Sequence, residues 1–165
     1  MQSRIEPANL QEKILATIER SGTSFYWALR ILPLKKREAM FAIYAFCREV
    51  DDIADSSEAP KIKLSKLNAW RNKIDELYKN NPSNLITHAL AGPISNYNLN
   101  KKDFIAIIEG METDSVEQLR MPNQAALELY CDQVACAVGR LSNTIFGVEP
   151  EKGEKLAKSL GEALQ

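Results

Sequence analysis

Apolar residues recur along this chain at spacings of three and four, the period of a helix with one buried side, and runs that alternate like strands are missing. Asn9 is placed to cap a first helix that runs to about Arg20 and breaks at Gly22. A short second helix is expected over Ser24 to Ile31, stopping before Pro33, and a long third over Lys35 to Asp55. Lys61 to Lys79 forms a fourth, with Leu64, Leu67, Trp70, Ile74 and Leu77 on one side, stopped by Asn80-Asn81-Pro82. A fifth covers Asn84 to Asn96, interrupted or kinked near Gly92-Pro93. Lys101 to Leu119 follows, with Asn100 as its N-cap, and one helix is expected from Asn123 to about Phe146. Glu151 to Leu164 is the last, with Pro150 at its start. Its pattern is still running at Gln165, so a chain truncated after about eight helices is expected.

This is an all-α reading with short connections and antiparallel neighbours. Residues 1–165 hold no repeat or linker that would divide them, and are expected to form a single domain. With 45% apolar residues the chain can fill a core. Its 21 basic and 22 acidic residues nearly cancel, which argues against nucleic-acid binding and a polybasic anchor. No apolar run approaches the ~20 residues of a spanning helix, and the first residues lack a leader's apolar stretch. The three cysteines, Cys47, Cys131 and Cys136, contain no CxxC, and their odd number suits a reducing cytoplasm better than a disulfide framework. Packing is the expected role of Cys47 and Cys136. His88, the sole histidine, has no obvious metal partner.

Chemistry concentrates in YAFCREVDDIAD, Tyr44 to Asp55. On a helix, Tyr44, Arg48, Asp51 and Asp55 fall at i, i+4, i+7 and i+11 and share one side, while Ala39, Ile43, Phe46, Val50, Ile53 and Ala54 gather opposite. Two carboxylates one turn apart repel on a bare helix. A divalent cation removes the repulsion, and Mg²⁺ in particular takes one or two carboxylates and completes its shell with water and phosphate oxygens. Arg48 can fork onto phosphate, and Tyr44 can donate to it or face a cation. A solvated acidic helix end is the bland alternative, but it does not require Tyr44 and Arg48 in that alignment. Asp52 points away from Asp51 and is a weaker candidate. The Ser21-Gly22-Thr23-Ser24 stretch could present hydroxyls and N–H groups to an anion, or simply cap a helix.

Ser21 to Asp55, read whole as SGTSFYWALRILPLKKREAMFAIYAFCREVDDIAD, resembles the opening of the squalene/phytoene synthase family. DFIAIIEGMETD, LYCDQVACAVGRLSNTIFG and LGEALQ follow in the family's order. The phrases SFYWALRILP and YCDQVA…VGRLS are most similar to bacterial members that make presqualene diphosphate for hopanoids. The resemblance implies an isoprenoid synthase helical fold around a central cavity. It implies a Mg²⁺-dependent prenyltransferase that joins two farnesyl diphosphate molecules head to head, in the cytoplasm, with peripheral contact at the inner membrane left open. By the same resemblance Asp51 and Asp55 bind metal, Tyr44 and Arg48 act on the substrate, and Ser21, Gly22, Thr23, Ser24 and Gln165 bind its diphosphate. Phytoene or dehydrosqualene synthesis is the near alternative, and an inactive family member serving in assembly is another.

Two departures from the family's pattern stand out. The second acidic motif, which normally follows LGEALQ, is not in the sequence. Squalene synthases that complete the reductive second step carry a tyrosine just before the Val-Ala pair, where this chain has Gln133. That favours stopping at the cyclopropyl product. Tyr130 is expected in the core or on the cavity. The run Ala135 to Gly139 would either let helices approach closely or border a channel for prenyl tails. Glu112 and Asp114 are expected in a solvated turn.

Overall fold

The computed structural model describes residues 14–16, 25–116 and 123–164. Ile14 to Ala16 are helical, inside the first expected helix; the rest of that element lies outside the described residues. The helices are α1 (Phe25–Arg30), α2 (Leu34–Ala54), α3 (Pro60–Tyr78), α4 (Leu85–Tyr97), α5 (Lys101–Asp114), α6 (Gln124–Cys131), α7 (Ala137–Phe146) and α8 (Pro150–Leu164), with a π-helical segment, Asp132–Cys136, between α6 and α7. No strand occurs among the described residues, and none of their helices is long and apolar enough to cross a membrane.

α2 lies at the centre. Its side made of Ala39, Ile43, Phe46, Val50 and Ala54 is buried, and it packs against α3, α4, α5 and α7. Phe46 meets Trp70 of α3 and Phe104 of α5 edge to face, with centroids 5.7 and 5.3 Å apart. Such pairs add about 1 kcal/mol each to the burial of their area. Leu67, Trp70, Ile74 and Leu77 of α3 are buried as their spacing predicts, whereas Leu64 stands at the edge, 38% exposed.

Local chemistry sets the ends. Asn84 caps α4 through a reciprocal box: its side chain accepts from the Thr87 N–H at 2.8 Å, and Thr87 Oγ1 accepts from the Asn84 N–H at 2.9 Å. Asn100 and Asn123 cap α5 and α6 more simply, their side chains accepting from the Lys102 and Ala126 N–H groups. α4 runs on through Gly92-Pro93 instead of being interrupted there; proline removes one backbone donor, and the helix extends a further turn before Asn98 ends it in the left-handed region. α5 stops at Asp114, short of the expected Leu119, with Ser115 as its C-cap, whose hydroxyl donates to the Met111 carbonyl at 2.7 Å. The single helix expected over 123–146 is divided by the π segment.

That segment is held against α8 by small residues. A side chain at Gly161 would place its Cβ 2.5 Å from Cys136 Sγ and 2.9 Å from the Cys136 nitrogen, so only glycine permits this approach. Of the two roles expected for the run Ala135 to Gly139, close packing is the one Cys136 fills.

Candidate functional site

α2 is long enough to keep its buried side in the core while carrying Tyr44, Cys47, Arg48 and Asp51 along the opposite flank. These four line a cavity of about 190 Å³ whose remaining walls are Ile107 and Met111 of α5, Val134 of the π segment and Val138 of α7. One wall is therefore polar and charged, and the other is wholly apolar. Val134 reaches its place because α5 has a glycine opposite it: a Cβ on Gly110 would come 2.6 Å from Val134 Cγ1. Gly110→Ala is expected to destabilise the chain by about 1–3 kcal/mol in urea unfolding, since the π segment must move out of the way. A cost near zero would show that Val134 swings aside freely.

The polar wall is short of positive charge. Arg48 divides its guanidinium between Asp51 (3.2 Å) and Asp52 (2.6 Å), so Asp52 takes part in the cluster although its helical position turns it away from Asp51. Burial first, and then the neighbouring Asp55, push the Asp51 carboxyl above the usual carboxylate range, with Arg48 offsetting only part of the effect. Asp55, at the end of α2, is exposed and lies outside the cavity lining. It nevertheless acts on both Asp51 and Asp114. Asp114 comes from α5; burial and Asp55 raise its carboxyl, against a 2.8 Å hydrogen bond donated by the Tyr130 hydroxyl. The negative charges of Asp55 and Asp114 thus both make Asp51 harder to ionise, and that of Asp55 does the same to Asp114.

The expectation of a solvated turn for Glu112 and Asp114 is corrected. Glu112 accepts two hydrogen bonds from Arg71 of α3, at 3.0 and 2.7 Å, and Asp114 belongs to the acidic cluster. Tyr130 is half-buried beside it, its own hydroxyl made harder to ionise by burial and by Asp114. Cys47 faces the cavity, yet burial and then Asp51 push its thiol up to about 12, which leaves it protonated and unreactive at neutral pH. Ser21, Gly22, Thr23, Ser24 and Gln165 lie outside the described residues. His88 is exposed.

A second charged cluster had no signal in the periodicity. Arg140 of α7 donates through Nε to Asp103 at 2.6 Å and through both terminal nitrogens to Asp132 at 2.6 and 3.1 Å. The side chains of Arg140 and Asp103 are only 13% and 6% exposed. Asp132 is the first residue of the π segment, so this arginine ties the segment to the start of α5 while Val134, two residues on, forms the cavity wall.

With the Cys47 thiol held protonated and Arg48 a cation, the atoms this wall offers to a metal are oxygens, those of Asp51 and Tyr44. Among the described residues, no three His, Cys, Asp or Glu side chains converge to enclose a metal ion. The wall therefore suits a hydrated hard cation held by one or two carboxylates, with an anionic ligand completing its shell.

The squalene/phytoene synthase family profile matches residues 18–165. The presqualene diphosphate synthase of Sinorhizobium fredii is 48% identical over 144 residues, covering 87% of this chain and 51% of the relative. A dehydrosqualene synthase solved with a ligand superposes with a TM-score of 0.83 at 25% identity, covering 96% of this chain and 54% of that one. The squalene synthase HpnC of Alicyclobacillus acidocaldarius superposes with a TM-score of 0.80 at 25% identity, covering 96% and 60%. The chain spans about half the length of the curated relatives it matches.

Proposed function

As the chain belongs to the squalene/phytoene synthase family and carries its all-α isoprenoid synthase fold, we propose that it serves as a head-to-head prenyltransferase, condensing two farnesyl diphosphates to presqualene diphosphate. Residues 1–165 act in this reading as one synthase-like unit. The observation that carries it is the two-sided cavity: Tyr44, Arg48 and Asp51 face Ile107, Met111, Val134 and Val138 across one space. A substrate with an anionic head and a hydrocarbon tail needs both walls.

Asp51 and Asp55 are the residues to hold Mg²⁺, with Asp114 close by. Bound there, the ion supplies positive charge to a departing pyrophosphate. The rest falls to side chains. Arg48 is drawn from its two aspartates onto phosphate oxygens, and Tyr44 donates to the same group. The carbon–oxygen bond of one farnesyl diphosphate breaks with its electron pair leaving on pyrophosphate. The double bond of the second molecule attacks the allylic cation, and loss of a proton closes the cyclopropane. The apolar wall holds the tails and keeps water from the cation. Gln133 supports a reaction that ends there, since its amide donates to Glu109 at 3.2 Å and offers no phenol for a second step. A cytoplasmic location with peripheral contact at the inner membrane fits substrates whose tails partition into lipid.

The test is a product assay. Farnesyl diphosphate and Mg²⁺, with no reductant, are expected to yield a thirty-carbon cyclopropyl diphosphate identified by mass spectrometry. A forty-carbon product made only from geranylgeranyl diphosphate would shift the reading to phytoene synthesis. No product from either substrate would favour a role in assembly.

A further inference from the structure

We infer that the α1–α2 corner is a docking surface for an anionic lipid bilayer. Residues 20–37 contain five cations and no acid, in a chain whose net charge is −1. Four of the five, Arg30, Lys35, Lys36 and Arg37, belong to the described α1–α2 corner, which also carries three large apolar side chains that face solvent: Trp27 (68% exposed), Ile31 (86%) and Leu34 (59%). Trp27 and Ile31 are four residues apart and follow one side of α1 into the turn; Leu34 opens α2.

Three of these cations are held by rings or backbone carbonyls rather than by a described carboxylate. Arg30 lies 5.6 Å from the ring centroids of both Tyr26 and Trp27. Arg37 donates to the Arg30 carbonyl at 3.1 Å, and Lys36 to the Phe146 carbonyl at 3.0 Å. None of the four forms an ion pair with a described carboxylate, whereas elsewhere among the described residues lysines and arginines pair with aspartates and glutamates. An indole, two aliphatic side chains and cations without a described carboxylate partner have the composition of a surface that seats in the headgroup region. The other exposed apolar row, Leu156, Leu160 and Leu164 on α8, makes the contrast. It has no aromatic residue, and both signs of charge flank it, in the pairs Lys155–Glu151 and Lys158–Glu162. That row carries no preference for an anionic surface.

The inference deepens the expectation of peripheral membrane contact but does not depend on prenyl transfer, because vesicle binding requires no turnover. The chain's two tryptophans make the test specific. Trp70 is 2% exposed and already in an apolar setting, so a change in emission on binding reports Trp27. The chain is mixed with vesicles of phosphatidylcholine alone and of phosphatidylcholine with phosphatidylglycerol. Sedimentation with the anionic vesicles only, a blue shift in emission, and weakening by salt are expected. Arg30→Gln with Lys35→Gln is expected to weaken binding on the order of thirtyfold, and Trp27→Ala to remove the blue shift. Equal binding to both vesicles, no binding, or binding with unchanged emission would overturn the assignment. So would a dimer in solution that Ile31→Ser dissolves, which would give the face to a second copy of the chain.

Discussion

Asp51→Asn is expected to abolish condensation, by on the order of a thousandfold or more, while making the metal-free chain slightly more stable. The first effect follows from charge. Asparagine removes one of the two oxygen-donor carboxylates that would hold the cation, and the stabilisation a metal gives a leaving pyrophosphate amounts to several kcal/mol. The second follows from the carboxyl's raised pKa. Burial and Asp55 disfavour the ionised form in the folded chain. Any stability tied to protonated Asp51 is therefore complete below the ordinary value of 3.8 and lost as pH rises through the folded value. The advantage of Asp51→Asn should be absent well below pH 3.8, where the carboxyl is neutral in both the folded and the unfolded chain, and grow toward neutrality. With the side chain 42% exposed, solvent screening limits it to about 1 kcal/mol or less, a few degrees in thermal midpoint. Added Mg²⁺ should raise the midpoint of the parent and leave the variant's unchanged. Identical Mg²⁺ shifts in both, or normal turnover by the variant, would remove the metal role from Asp51.

Arg140→Met is expected to cost about 3–5 kcal/mol of folding stability, the largest effect of any single exchange of a charged side chain here. It strands the carboxylate of Asp103, which is 6% exposed and 2.6 Å from Arg140 Nε. Burial already raises the Asp103 carboxyl despite that contact. Burial also works against the charge of Arg140, but the hydrogen bonds to Asp132 and Asp103 outweigh it and hold the guanidinium protonated. The short contacts of one cation with two carboxylates identify the ionised arrangement as the native one. Asp132, 47% exposed, can turn to water when its partner is lost, so its share of the cost is small. Adding Asp103→Asn to Arg140→Met should return part of the loss, because an amide tolerates burial without a counter-charge. Urea unfolding of the four chains in this cycle measures the coupling. Additive costs would mean that Arg140 and Asp103 do not act as a pair.

The portion of the site visible in the sequence is the portion carried by one element. Tyr44, Arg48 and Asp51 share a flank of α2, and helical period alone puts them together. Asn84, Asn100 and Asn123 announce helix starts because capping is a local interaction between neighbours. The remaining partners are joined only by tertiary packing. Arg71 meets Glu112 across 41 residues, Arg140 meets Asp103 across 37, and Tyr130 meets Asp114 across 16. No local preference encodes such pairings. Asp114 therefore reads from the sequence as part of a solvated turn, and nothing local marks Arg140. Asp52 shows the converse: its angular position was read correctly, yet a long arginine side chain reaches around the helix to it. The π segment was invisible because its five residues have no composition that distinguishes them from α-helix.

That segment sets a phase offset in the last quarter of the chain. A π turn stores one residue more than the same length of α-helix, so side chains beyond it are rotated by about a quarter turn from where an unbroken spiral would carry them. Tyr130, upstream, and Val138, downstream, therefore obey two different helical clocks. The wheel that aims Tyr130 at Asp114 cannot also aim Val138 at Tyr44, and the spare residue reconciles them. Straightening this stretch by deleting one position would regularise its backbone bonds while swinging Val138, Arg140 and Leu141 together, away from the cavity, the aspartates and the core that each now meets.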